Sequence, residues 1–141
     1  MAKLRIDLDD LIIALTWRDD LYDSAYWLDR ESGALIFVSD GVPEDELPAD
    51  LEDNPRYLAI DPLESSAGFR VMEDFVAGLD DERLAARLES ALRQRKPFRS
   101  FKNVLLDHPA ASEAWFAFEH AAQAEQARRW CEEQGLEVEW A

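Results

Sequence analysis

The sequence predicts an α+β fold in which a small antiparallel sheet, a hairpin plus one or two further strands, packs against about five helices. Three observations carry that expectation. Two aromatic and β-branched runs, Ser24–Asp29 and Ala34–Ser39, flank a short polar connection that contains Gly33. Beyond Ser65 the apolar residues recur at helical spacing. The 141 residues, 48% of them apolar and including five Trp and seven Phe, supply one core of ordinary size, so a single globular domain over residues 1–141 is expected.

Leu8, Leu11, Ile12 and Leu15 stand at i, i+3, i+4 and i+7, the stripe of a short amphipathic helix. Asp7 occupies the N-cap position, and Asp9 and Asp10 put negative charge where the helix dipole favours it. In the hairpin, Gly33 supplies the positive φ that a tight connection requires. Both hairpin faces are apolar, Tyr26 and Leu28 against Trp27, and Leu35 and Phe37 against Ile36 and Val38, which calls for cover on both sides by helices or another subunit. Asp40–Asn54, rich in acids and with two prolines, reads as a loop carrying a turn of helix. Tyr57–Ile60 is a third short strand, stopped by Asp61-Pro62.

A helix capped by Ser65 or Ser66 then turns Phe69, Met72, Phe75, Val76 and Leu79 to one side and closes near Gly78. Asp80 or Asp81 caps the next, which carries Leu84, Leu88, Ala91 and Leu92. Pro97 has no amide hydrogen and disfavours helix before it, so a fresh helix begins there and brings in Phe98, Phe101, Val104 and Leu105. The longest helix spans Ala110–Gln134, with Trp115, Phe118, Ala122 and Trp130 on one side and Gly135 as its stop. The alternating tail Leu136–Trp140 reads as a strand with a wet acidic face, the candidate for the second of the further strands.

Three stretches resemble a known family: Tyr26-Trp27-Leu28-Asp29 with the Gly33 turn, Ser65 through Met72 to Phe75, and Phe98-Arg99-Ser100-Phe101-Lys102 leading to Trp115 and Phe118. In their order and spacing the chain is similar to the bacterial Uncharacterised Protein Family zero-one-five-eight, from about Ser24 to its end. At the turn, Ser32-Gly33-Ala34 departs from the Thr-Gly-Glu of the family pattern. The resemblance implies no activity, cofactor or catalytic residue, because the family has none assigned.

Fifteen Lys and Arg against thirty-one Asp and Glu give a net charge of −16, which repels phosphate backbones and anionic membranes at long range. Direct nucleic-acid binding and membrane association are therefore not expected. The N-terminus lacks the apolar core of a signal peptide, and the single cysteine, Cys131, excludes an intramolecular disulfide, so a cytoplasmic protein is expected. Against this acidic background Arg93, Arg95, Lys96, Arg99 and Lys102 crowd into ten positions that contain no acid. A helix starting at Pro97 would aim free N–H groups and Arg99 at a common anion, with Lys102 one turn on. Arg95, Lys96, Arg99 and Lys102 are the candidate binding residues, for a protein partner or a small anion. The reading of greater weight is that the same cations neutralise acidic segments of their own fold, with Arg99 and Lys102 bridging to carboxylates while Phe98 and Phe101 pack.

No catalytic, metal or cofactor site is expected. His108, His120 and Cys131 have no metal-ligand spacing, and no phosphate-binding or nucleophile motif occurs. His108, before Pro109, suits the negative end of a helix, and the acid groups Asp7, Asp9, Asp10 and Asp19, Asp20, Asp23 lack a calcium-loop pattern. The expected role is a non-catalytic binding module. Two alternatives stay open: an enzyme acting on a small anionic substrate, and an acidic mimic of nucleic acid. Homo-oligomerisation is undetermined.

Overall fold

A computed structural model describes residues 3–18 and 24–141. The chain divides into two compact units, Met1–Leu63 with Ala124–Ala141, and Glu64–Gln123.

In the first unit, strand β1 (Leu4–Ile6) leads into helix α1 (Leu8–Thr16). The Asp7 carboxylate caps α1 by accepting from the Asp10 N–H at 3.0 Å. Strands β2 (Ala25–Asp29), β3 (Leu35–Val38) and β4 (Tyr57–Ile60) form an antiparallel sheet in the order β3-β2-β4. Its register pairs Tyr26 with Phe37 and Ile60, and Leu28 with Leu35 and Leu58, so one face presents a continuous apolar surface. Leu28 and Ile60 on that face are buried with Leu11, Ile12 and Leu15 of α1 and with Trp130 and Cys131. Beside them Trp17 meets the Tyr26 and Phe37 rings edge-on, at 5.7 and 5.4 Å, and donates from Nε1 to the Ser24 hydroxyl. The opposite face, with Trp27, Ile36 and Val38, is half-buried. A short 3-10 turn, Glu44–Glu46, interrupts the acidic loop.

The tail strand departs from expectation. β5 (Val138–Trp140) does not join the antiparallel sheet; it pairs in parallel with β1, Leu4 opposite Val138 and Ile6 opposite Trp140. Ile6 is fully buried there, and Leu4 packs against the same core.

The second unit is helical: α2 (Ser65–Ala77), α3 (Glu82–Leu92), α4 (Pro97–Leu105) and the portion of α5 (Pro109–Glu133) up to Gln123. Asp81 caps α3 by accepting from the N–H groups of Arg83 and Leu84, both at 3.1 Å. Ser65 and Ser66 do not cap α2; both already lie inside the helix, and Glu64 stands at its N-cap with no side-chain bond to the helix N–H groups, its carboxylate accepting from the Ser66 hydroxyl instead. Met72, Phe75, Leu88, Phe101 and Trp115 form the core. Trp115 is wedged edge-on against Phe75 at 5.3 Å and Phe101 at 4.9 Å. Its Nε1 has no hydrogen-bond partner among the described residues, a desolvation cost carried by these aromatic contacts.

At the far end of α5, Gly135 takes φ +71°, and the bonds Gly135 N–H to Glu132 at 3.0 Å and Leu136 N–H to Cys131 at 2.9 Å close the helix as a Schellman motif.

Gly33 is required twice over. Its φ is +81°, and a Cβ there would stand 1.9 Å from the Arg5 carbonyl oxygen of β1. Gly33→Ala is expected to cost about 2 kcal/mol or more, from backbone strain and displacement of β1 together. Chemical denaturation of the variant beside wild type measures it, and an unchanged midpoint would show that the turn and β1 do not press on each other.

Candidate functional site

The cationic segment begins where α3 ends. Arg93 is the C-cap of α3, Gln94–Lys96 form the bend, and Pro97 opens α4 at its first position. Proline needs no hydrogen-bond acceptor there, and the first α4 bond runs from the Ser100 N–H to the Lys96 carbonyl at 2.9 Å. The N–H groups of Phe98 and Arg99 therefore precede the helical ladder, and no side chain caps them. The helix turns Phe101 and Leu105 inward, which leaves Arg99 and Lys102 outside.

Arg93, Arg95, Lys96, Arg99 and Lys102 are all solvent-exposed. Among the described residues, none of the five forms an ion pair. Lys102 differs from the other four in facing an acid: burial pushes the Glu119 carboxyl above the usual carboxylate range, and the Lys102 charge acts in the opposite sense. Part of the expected segment is thus answered from within its own unit, at Lys102.

Some cations outside the segment are held by carboxylates. On α5, Arg128 donates to both carboxylate oxygens of Glu125, at 2.9 and 2.6 Å, and also pairs with Glu132, while Arg129 reaches Glu125 at 3.3 Å. This holds the Glu125 carboxyl down at about 2.

The most constrained pair is one that no sequence pattern announced. Asp29, at the end of β2, is 6% exposed. Its two oxygens take the Arg56 guanidinium as a fork, Nε and Nη2 each at 2.8 Å, and one of them also accepts the N–H groups of Glu31 at 2.9 Å and Ser32 at 3.3 Å. Arg56 extends a third nitrogen to Glu31 at 3.1 Å and lies over the Tyr57 ring. The guanidinium holds the Asp29 carboxyl well below the usual carboxylate range, overcoming the opposing effect of burial. A carboxylate engaged by four donors has little basicity left for proton abstraction, so this pair is architectural.

His108 does not end a helix as expected. It stands between α4 and α5, where Arg87 donates to its Nε2 at 3.2 Å. Cys131 is buried, and burial pushes its thiol up to about 11. Among the described residues no three His, Cys, Asp or Glu side chains are placed to hold a metal ion. Asp19, Asp20 and Asp23 lie outside the described residues. No helix among the described residues is long and apolar enough to cross a membrane.

Fold and surface together define an acidic α+β protein with an exposed run of cations that forms no ion pair among the described residues. The chain belongs to the Uncharacterised protein family (UPF0158), whose family model matches residues 1–140. It is similar to the UPF0158 protein PA5073 of Pseudomonas aeruginosa, with 33% identity over 138 residues that cover 97% of this chain and 88% of the relative. No solved structure matches it.

Two measurements follow. Asp29→Ala is expected to destabilise the protein by about 2 kcal/mol at neutral pH, since it strips the Arg56 fork and two backbone donors of their acceptor. The folded-state carboxyl titrates below its unfolded value of about 3.9, so its contribution is complete above that value and lost as pH falls toward the lowered one. The gap between wild type and variant in denaturant titrations should therefore narrow below about pH 4. Cys131 should react with iodoacetamide far more slowly in the folded protein than in the unfolded chain at pH 8, and equal rates would contradict its burial.

Proposed function

We propose that the protein is a cytoplasmic, non-catalytic binding module whose cationic segment, Arg93 to Lys102, docks an anionic partner. One observation carries this reading: on a chain of net charge −16, Arg93, Arg95, Lys96 and Arg99 stand in water with no carboxylate paired to them among the described residues. Four like charges so close together repel one another. An anion bound there relieves that repulsion and gains the two uncapped N–H groups of α4. The reading predicts attraction that weakens as salt rises, because the surrounding surface is negative and only the local field favours the ligand. The single thiol, buried in the core, accords with a reducing compartment.

Glu119 favours a second reading, an enzyme acting on a small anionic substrate. A half-buried carboxyl with a raised pKa beside Lys102 has the character of a general base. Anion binding that is unaffected by Glu119→Gln, with no chemical change in the ligand, supports the module.

The decisive variant is Arg95→Glu with Arg99→Glu, which leaves Lys102 opposite Glu119. Its unfolding midpoint should stay within about 3 °C of wild type, as expected for exposed positions. In affinity capture from native cytosol it should lose the partners that wild type retains at low salt. A large fall in the midpoint would show instead that these cations serve the fold.

A further inference from the structure

A cleft of about 340 Å³ lies between α2 and α3, immediately beside the cationic segment. Phe69 and Val76 of α2 and Leu92 of α3 contribute apolar side chains to its lining, Glu73 and Glu89 contribute charge, and Arg93 is the residue at which it meets the cationic bend. The chain then passes through Arg95 and Lys96 and returns to the same place, because the Phe98 ring lies against Gly68, the residue next to Phe69. A Cβ at position 68 would meet Phe98 Cε1 at 3.2 Å. Phe98 itself remains 41% exposed. The cleft, the exposed aromatic ring and the bare cations thus lie near one another on the second unit.

We infer that this surface receives an acidic protein segment bearing one large apolar side chain, which enters the α2–α3 cleft while the flanking carboxylates lie on Arg93, Arg95, Lys96 and Arg99. The inference rests on the docking reading above and specifies its partner. Charge complementarity selects an acidic ligand. The cleft, at the small end of ligand pockets, suits one side chain and not an extended molecule. Glu73 and Glu89 decide between acidic macromolecules: a nucleic acid presents a phosphate at every step and meets them, whereas a peptide can place an uncharged residue there. The cations supply attraction and orientation, and burial of the anchor supplies specificity, as at interface hot spots generally.

The test is fluorescence anisotropy at low salt with three labelled probes: a short Asp/Glu peptide with a central Phe, the same peptide with Ser in place of the Phe, and a single-stranded oligonucleotide of matched charge. Wild type should bind the Phe peptide about tenfold more tightly than the Ser peptide, and more tightly than the oligonucleotide. Ala77→Gln, which enlarges an exposed residue lining the cleft, should erase the Phe advantage and leave Ser-peptide binding unchanged. Should that variant unfold, Glu73→Gln serves in its place. It removes a repulsive carboxylate at nearly constant shape and should tighten both peptides. Arg95→Glu with Arg99→Glu should weaken both peptides at least tenfold. Equal affinity of wild type for the Phe and Ser peptides, or preference for the oligonucleotide, overturns the anchored-peptide inference while leaving the docking surface in place. Peptide binding that is indifferent to the Arg95 and Arg99 reversals overturns both.

Discussion

The first unit is organised around a charge that cannot be left alone. Asp29 closes the central strand of the sheet at a depth where an unpaired carboxylate would be very costly, and four donors converge on it. Those donors come from two places, the hairpin turn that follows β2 and the residue that precedes β4. One carboxylate therefore fixes the turn and the third strand together. The arrangement extends outward, since the Asn54 side chain accepts from the Arg56 N–H and donates to Asp50, which ties the end of the acidic loop to the same network.

Some of the chain's cations are engaged by carboxylates and others are left to solvent. Arg56, Arg128 and Arg129 are consumed by carboxylates near them, the last two within single turns of α5. The segment around Pro97 is treated differently because a proline-opened helix offers neither an acid nor a capping side chain of its own, and the inward demands of Phe101 and Leu105 turn Arg99 and Lys102 to solvent. Only Lys102 finds a facing acid, in Glu119.

Much of the fold was legible because its signals are local. Asp7, Asp81 and Gly135 act within one turn of themselves, and the hairpin lies within a few residues of Gly33. Ser65 and Ser66 looked like caps for the same local reason, yet Glu64 occupies that position. What escaped was non-local. The partner of the tail strand lies at the other end of the sequence, and three residues, Leu4–Ile6, are too few to show alternation. Asp29 and Arg56 are each ordinary where they stand, and only the β2–β4 register brings them together. At the candidate site the density of cations was readable as composition. Their freedom from acids and the neighbouring cleft depend on how α2, α3 and α4 meet.

The order of the units along the chain bears on biosynthesis. The helical unit is an insertion within the other, so the ribosome completes residues 64–123 while β1 still lacks the strand it will pair with. Closing that parallel pair joins segments separated by the whole helical unit, a long-range contact of the kind that slows folding. Until translation reaches Val138, the nascent chain carries an unmatched strand edge beside a sheet whose own hairpin already presses on it at Gly33.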